Sequence, residues 1–269
     1  MIEEMAAFIQ SKIGDLHPDI GLILGSGLGD IADTIESPVI LPYRDIPNFP
    51  QSTVAGHKGQ LVIGKLHKRT ILCMQGRFHL YEGYPPQIIN TVIEVFKVMG
   101  IKELIITNAA GSLNPDFFPG ELMLISDHIN LSGRNPLIGP NDDKYGPRFP
   151  SLANVYDLNL QNKMKRIAKK VGITLHHGTY LMVLGPNFET AAEIRAFRIL
   201  GADAIGMSTM PEVICAARCG IKVLGISALT NFGTGMTDSI TTHEETLEQG
   251  QKACANLSLL IQNYMKEEE

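Results

Sequence analysis

The sequence predicts an α/β fold, a single domain in which a central β-sheet is flanked by helices. Short continuous apolar runs, such as residues 20–24 and 223–229, are typical of strands buried on both faces. Segments with helical periodicity, such as residues 87–99, alternate with them. With 269 residues, 44% of them hydrophobic, the chain can bury a sizeable core, and we expect residues 1–269 to form one domain.

Composition excludes several classes of function. No run approaches the roughly 18 consecutive apolar residues of a membrane helix, and the N-terminal MIEEMAAFIQSKIGD is typical of an acidic amphipathic helix rather than a signal peptide. The net charge of −5, without a basic stripe, argues against nucleic acid and anionic membranes as partners. Any phosphate site must therefore be made locally, from backbone N–H groups and a few cations.

The cysteines indicate a reducing compartment, which we expect to be the cytoplasm, because Cys73, Cys215, Cys219 and Cys254 show no disulfide framework. Cys215 and Cys219 lie one helical turn apart, a spacing that can ligate a metal. Both lie in the apolar run VICAARC, which favours buried thiols instead. We therefore predict no metal site.

The first strand, residues 20–24, opens into the glycine turn 25–29, where backbone N–H groups can face an anion. The turn is a poor dinucleotide fingerprint because Asp30 occupies the third glycine position. The prolines between residues 38 and 47 also leave little room for a crossover helix and a second strand. This turn is a candidate phosphate site rather than a dinucleotide site.

The segment QGRFHLYEGY follows a predicted hairpin and presents a polar face. If it is extended, Arg77, His79 and Tyr81 share one side, while Phe78 and Leu80 are buried on the other. The planar fork of an arginine suits a tetrahedral oxyanion. A merely solvated polar face is the alternative, but it does not account for the apolar residues between the polar ones.

The middle of the chain also alternates between predicted helices and predicted strands. The periodicity predicts a helix over 87–99, a strand over 104–106 that ends in a second glycine turn at 107–111, and a helix over 157–171. Between them, residues 133–150 have no period, and a loop of this length is usually a lid or an interface. Its own domain gives no evident reason to order it.

Residues 185–231 are expected to carry the site. Strand, helix and strand follow one another at a spacing that predicts a parallel sheet, whose carboxyl ends bind ligands. Glu189, Met207-Ser208 and Asn231 follow three successive predicted strands. A carboxylate, a hydroxyl and an amide in an apolar wall suit a small polar ring better than a metal or a peptide. Taken singly, Glu189 could be an early-turn helix acid and Asn231 a turn residue.

The chain resembles the trimeric purine nucleoside phosphorylases over nearly its whole length. The segments that carry this resemblance are RFHLYEGY, GPNFET, GADAIGMSTMPEV and Thr230-Asn231. The resemblance implies a nucleoside phosphorylase domain with a mixed sheet, assembled as a homotrimer. It implies phosphorolysis of 6-oxopurine (deoxy)ribonucleosides such as inosine and guanosine. Inorganic phosphate is then a co-substrate, and no metal or organic cofactor is expected.

The resemblance also assigns roles to individual residues. Those matched to phosphate binding are Ser26, His57, Arg77, His79, the amide of Ala109, and Ser208. Those matched to nucleoside binding are Tyr81, Phe149, Phe188, Glu189, Met207, Asn231 and His243, with Phe149 supplied by a neighbouring subunit. Asn231, Glu189 and His79 are the expected catalytic residues. From the sequence His57 is equally well a surface or packing residue, and Phe232 departs from the lysine of the mammalian enzymes.

Two alternatives remain at this stage. Methylthioadenosine phosphorylase shares the fold but favours an aspartate at the position of Asn231. A nucleoside-binding protein without chemistry is the second alternative, and it would have no use for the Arg77–His79 pair.

Overall fold

The structure, a computed structural model, describes residues 1–54, 56–237 and 243–267, with side chains from residue 248 in the last segment. The helices are α1 (Ile2–Ile13), α2 (Gln87–Val98), α3 (Leu158–Val171), α4 (Ala191–Ile199), α5 (Met210–Cys219) and α6 (His243–Lys266). The strands are β1 (Ile20–Leu24), β2 (Glu36–Pro42), β3 (Gln60–Leu66), β4 (Arg69–Gln75), β5 (Glu103–Ser112), β6 (Leu122–Asn130), β7 (Leu175–Met182), β8 (Ala204–Gly206) and β9 (Lys222–Phe232).

The described strands form one mixed sheet in the order β2-β3-β4-β1-β5-β8-β7-β6-β9. Because β9 also pairs with β5, strands β5 to β9 close on themselves, and β1 to β4 extend the sheet from β5. Pairing is parallel between β1 and both of its neighbours and antiparallel in the β3–β4 hairpin. The predicted α/β fold with a mixed sheet is confirmed.

Helices cover both faces of this sheet, which is why its central strands are apolar without alternation. All five residues of β1 are buried. Ile23 packs into a core with α1, α2 and α5, whereas Leu22 and Leu24 pack on the opposite face with α3 and α6. A strand buried on both faces needs such a continuous apolar run. Within the described ranges, no helix is long and apolar enough to cross a membrane.

The predicted parallel arrangement of residues 185–231 is wrong in one respect. Strand β8 is parallel to β7 but antiparallel to β5, with Ile205 opposite Gly111 and Ala204 opposite Ser112. The spacing of strands along the chain does not tell which distant strand each will join. Strand β8 is short, and its first residue, Ala204, lies opposite Ser112, the last residue of β5. The last residue of β8 therefore still lies near the carboxyl end of β5. The predicted side chains therefore converge despite the reversed direction.

Two other local predictions are wrong. The proline-rich stretch contains strand β2, which pairs with β3 only and carries a bulge between Glu36 and Val39. Proline is tolerated on such an edge strand because an outward-facing position needs no N–H donor. The expected glycine turn at 107–111 is also absent, since β5 continues to Ser112 and pairs there with β8 and β9.

The long segment 133–150 has no helix or strand, as predicted, yet its own chain orders it. Arg148 donates from Nη1 to the carbonyls of Leu137 (3.0 Å) and Gly139 (2.7 Å). Tyr145 is buried, and its hydroxyl lies 3.3 Å from a carboxylate oxygen of Glu3 in α1. The expectation that the domain would not order this loop is wrong.

Candidate active site

A cleft of about 790 Å³ opens at the carboxyl ends of β1, β5 and β9. Ten of the residues predicted from the sequence line it: Ser26, Arg77, His79, Tyr81, Ala109, Phe188, Glu189, Met207, Ser208 and Asn231. His57 and Phe149 are not among the lining residues. Helix α6 begins at His243, whose side chain lies outside the described residues. The predicted constellation is thus largely brought together in one place.

The turn after β1 forms one end of the cleft. Gly25 donates its N–H to Thr107 Oγ1 at 3.2 Å, and a Cβ at this position would lie 2.7 Å from the Cα of Asn108. Only glycine allows the turn to approach β5 so closely. Gly27 follows with a φ of 75°, in the left-handed region. This geometry presents Ser26 to the cleft.

His57 lies behind Ser26, with its Nε2 3.1 Å from the serine Oγ. His57 Nδ1 lies 3.1 Å from both the backbone nitrogen and the carbonyl oxygen of Arg77, so the direction of these bonds depends on which ring nitrogen carries the proton. Burial lowers the pKa of His57, so its ring is neutral at pH 7. His57 thus links the Ser26 side chain to the backbone of Arg77.

Arg77 is the cation of this end, and its side chain is only 1% exposed. Its Nε donates to Glu212 Oε1 at 3.0 Å, and its Nη1 donates to the Thr107 carbonyl at 2.8 Å. Nη1 also lies 3.1 Å from Ser208 Oγ. Within the part of the chain that is described, Nη2 has no hydrogen-bond partner. A buried donor without a partner is costly, and because Arg77 lines the cleft, its guanidinium suits an anion bound at this end.

Thr107, Thr209 and Glu212 are partners of Arg77 that the sequence did not predict. Thr209 has a φ of 81°, an unfavourable backbone conformation for a β-branched residue. Its Oγ1 is 2.9 Å from Asn108 Nδ2, which ties the start of α5 to β5. Of these three residues, only Glu212 has a side chain whose type points to such a pairing. It lies in the first turn of α5, and an acid that is buried there requires a cation.

His79 is buried beside Arg77, and its ring stacks on Tyr81 with 4.7 Å between centroids. Burial, followed by the charge of Arg77, lowers the pKa of His79 to about 3, so the imidazole is neutral at pH 7. Phe78 and Leu80 are buried, as the alternation predicts. The segment is not extended throughout: residues 80–82 form a 3-10 turn, because a Glu82 carboxylate oxygen accepts from the His79 N–H at 2.6 Å.

The other end of the cleft carries an amide and a carboxylate. Asn231 Nδ2 donates to the Phe232 carbonyl at 3.0 Å, while Thr230 Oγ1 donates to Asn231 Oδ1 at 2.8 Å. Since a carbonyl can only accept, these two contacts fix which way the amide faces. One N–H and one lone pair remain for a ligand. Glu189 is half-buried, and this burial raises the pKa of its carboxyl.

Apolar side chains complete the wall and rim. Met207 packs against Gly185, where a Cβ would lie 2.4 Å from the methionine Sδ. Phe188 stands on the rim and is 80% exposed. Phe232 also lines the cleft, and its ring meets Phe118 edge-on at 6.1 Å. The described residues contain no cluster of His, Cys, Asp and Glu suited to a metal ion, and Cys215 and Cys219 are buried free thiols as predicted.

Comparison with known proteins agrees with this geometry. Residues 19–266 match the family model described as "Phosphorylase superfamily". The chain is 49% identical over 260 residues to purine nucleoside phosphorylase 1 of Bacillus subtilis (strain 168), covering 97% of this chain and 96% of that protein. It is 47% identical to the purine nucleoside phosphorylase of Bos taurus, covering 91% of this chain and 87% of the relative.

A solved structure of Schistosoma mansoni purine nucleoside phosphorylase in complex with inosine superposes with a TM-score of 0.93, at 38% identity. The superposition covers 100% of this chain and 96% of the other. The same enzyme has also been solved in complex with adenosine. By family model, sequence identity and fold, the chain belongs to the phosphorylase superfamily and, within it, to the purine nucleoside phosphorylases.

Proposed function

We propose that the protein cleaves 6-oxopurine (deoxy)ribonucleosides, such as inosine and guanosine, with orthophosphate. The products are the free purine base and α-(deoxy)ribose 1-phosphate. The observation that carries the proposal is a single cleft with two chemically distinct ends. Arg77, whose Nη2 has no partner among the described residues, lies at one end, and the oriented amide of Asn231 lies with Glu189 at the other. We propose no cofactor beyond phosphate as co-substrate.

Cleavage of the N-glycosidic bond builds positive charge on the sugar and negative charge on the purine, so both must be stabilised. A phosphate oxygen attacks the anomeric carbon as the bond to N9 breaks, and the electron pair enters the ring. At the phosphate end we assign Ser26, Arg77 and Ser208 as donors, and Ala109 lines the same cleft. Neutral His79 supplies a further hydrogen bond without adding charge.

At the base end, the fixed amide of Asn231 matches a 6-oxopurine. Its free N–H can donate a hydrogen bond to O6 or N7, both of which gain electron density as the bond to N9 breaks. Ionised Glu189 can accept N1–H, which inosine and guanosine offer and adenosine lacks. Tyr81, Met207 and Phe188 would pack against the sugar and base.

The proposed reaction requires phosphate, which gives the first test. With inosine as substrate, hypoxanthine release should fall to background when phosphate is removed and return on its addition. Ribose 1-phosphate should accumulate in equal amount. Release at the same rate in phosphate-free buffer would make the protein a hydrolase and contradict the proposal.

The raised pKa of Glu189 predicts an acid limb in the pH profile. Protonation begins at a higher pH than for an exposed carboxyl, and the protonated form no longer accepts N1–H fully. We therefore expect kcat/KM for inosine to fall on the acid side, beginning at a higher pH than an exposed carboxyl would set. Glu189→Gln is the matched control, because its amide oxygen accepts at every pH, and its profile should lack this limb. If the wild type and Glu189→Gln lose activity over the same acid range, a group other than Glu189 titrates there.

We propose that the active unit is a homotrimer in which Phe149 completes the site of a neighbour. Phe149 is 88% exposed on its own subunit and does not line its own cleft, which supports a role toward another copy. Phe149→Ala should raise the KM for inosine by an amount equivalent to about 1–3 kcal/mol, the size of a lost stacking contact. A fully active monomer in sedimentation at assay concentration would contradict the shared site.

Two broader features accompany this proposal. One sheet connects strands from residue 20 to residue 232, which supports a single nucleoside phosphorylase domain over residues 1–269. All four cysteines are free thiols and three are buried, which supports a reducing compartment such as the cytoplasm.

A further inference from the structure

Residues 133–150, here called the aromatic loop, pose a physical problem. Phe149 is 88% exposed near the end of a segment that has no helix or strand of its own. A side chain that must enter a neighbouring site binds well only if its backbone is already ordered, because ordering on binding costs conformational entropy. The loop therefore needs an anchor within its own subunit.

Arg218 near the end of α5 is such an anchor, and its side chain is 3% exposed. On the helix side, Nη1 donates to Glu94 Oε1 and, at 3.1 Å, to Asn90 Oδ1, both on α2. On the loop side, Nε donates to Asn141 Oδ1 at 3.0 Å and Nη2 donates to the Asp142 carbonyl at 2.8 Å. One guanidinium thus joins two helices to the base of the aromatic loop.

The backbone of the loop fits against the same residue. A Cβ on Gly146 would lie 1.9 Å from the Arg218 carbonyl oxygen, and the φ of Gly146 is 152°. Asn141 Nδ2 also donates to the Gly146 carbonyl at 3.2 Å, which closes the turn around Arg218. Arg148 then holds the carbonyls of Leu137 and Gly139 immediately before Phe149.

A buried ion pair such as Arg218–Glu94 is a weak source of stability, because desolvation of both charges offsets their attraction. Apolar residues of similar volume would pack as well between α2 and α5. An apolar pair could not, however, supply the two directed hydrogen bonds that Arg218 donates to the loop. The energetics therefore favour a role in geometry over a role in stability.

We propose that Arg218 is a positioning residue for nucleoside binding, which holds the aromatic loop so that Phe149 is presented in a fixed place to the cleft of a neighbouring subunit. This inference rests on the proposed role of Phe149. Arg218 does not line the cleft, and its side-chain hydrogen bonds run to α2 and the aromatic loop rather than to residues of the phosphate end. Weakening its hold on the loop should change nucleoside binding and spare phosphate binding.

A pair of matched variants tests this proposal. Asn141→Ala removes a loop-side partner of Arg218 together with the Asn141 bonds to Asp143 and the Gly146 carbonyl. Asn90→Ala removes a helix-side partner of the same guanidinium together with the Asn90 bond to Glu94. Neither leaves a buried charge unpaired, since Glu94 remains, so both should fold and melt within a few degrees of each other. Asn141→Ala should raise the KM for inosine about three- to tenfold, the scale of the net contribution of one ordinary hydrogen bond. Asn90→Ala should leave it within about twofold, and the KM for phosphate should stay unchanged in both.

Phe149→Ala, measured in parallel, separates the two ideas. If Phe149→Ala raises the KM for inosine and Asn141→Ala does not, the positioning role is wrong while the shared site stands. If Phe149→Ala itself has no effect, the shared site is wrong and the inference falls with it. Equal effects of Asn141→Ala and Asn90→Ala would show that Arg218 acts on the fold as a whole, which also overturns the proposal.

Discussion

Replacing Arg77 by alanine, together with Glu212 by glutamine, should raise the KM for phosphate by about two orders of magnitude or more. Arg77 is the permanent cation that lines the cleft, and its Nη2 has no partner among the described residues. Truncating one partner of a buried, hydrogen-bonded charge pair typically costs about 2–5 kcal/mol of binding, roughly thirtyfold or more. The KM for inosine should change by no more than a few fold, as measured by initial rates with one substrate saturating.

The double substitution is needed because Arg77→Ala alone would leave the Glu212 carboxylate buried without a counter-charge, which is strongly destabilising. Glu212→Gln by itself serves as the control. Its amide oxygen still accepts from Arg77 Nε, so it should retain most of the phosphate affinity. If the double variant loses affinity for inosine and keeps its affinity for phosphate, Arg77 binds the nucleoside rather than phosphate, which contradicts the proposal.

The second large effect concerns the choice of base. Ionised Glu189 faces N1–H in inosine but a lone pair in adenosine, and leaving a buried charge against an acceptor costs a few kcal/mol. Because about 1.4 kcal/mol corresponds to a factor of ten, adenosine should be poorer than inosine by about two or more orders of magnitude in kcat/KM. Adenosine bound in a crystal of a relative does not conflict with this, since the expected difference is in kcat/KM.

Asn231→Asp should narrow the inosine-to-adenosine ratio by at least roughly tenfold, mainly by harming inosine. The aspartate has no N–H to donate to O6, but its second oxygen can accept from a 6-amino group. It also loses the contact to the Phe232 carbonyl, which now faces another acceptor. Glu189 would still oppose adenosine. Two outcomes would show that Asn231 and Glu189 do not determine base specificity. One is an Asn231→Asp variant whose inosine-to-adenosine ratio is unchanged from the wild type, and the other is a wild type that cleaves both nucleosides equally well.

Local properties of the sequence determined a large part of this protein. Strand β1 and helix α2 lie where apolar runs and helical periodicity put them, because such patterns depend only on near neighbours. The capping box of Thr190 and Glu193 starts α4 as its spacing requires. Alternation along the chain likewise selected Arg77, His79 and Tyr81 as lining residues.

Only the tertiary structure decided how distant segments meet. The direction of β8 depends on its partner β5, which lies about ninety residues earlier in the chain and is not marked by any local pattern. The placement of His57 behind Ser26, the pairing of Arg77 with Glu212 and the hold of Arg218 on the loop at Asn141 all join side chains far apart in sequence. Periodicity determines which face of an element is buried, but the partner of a buried polar group is determined by where the fold places the next element.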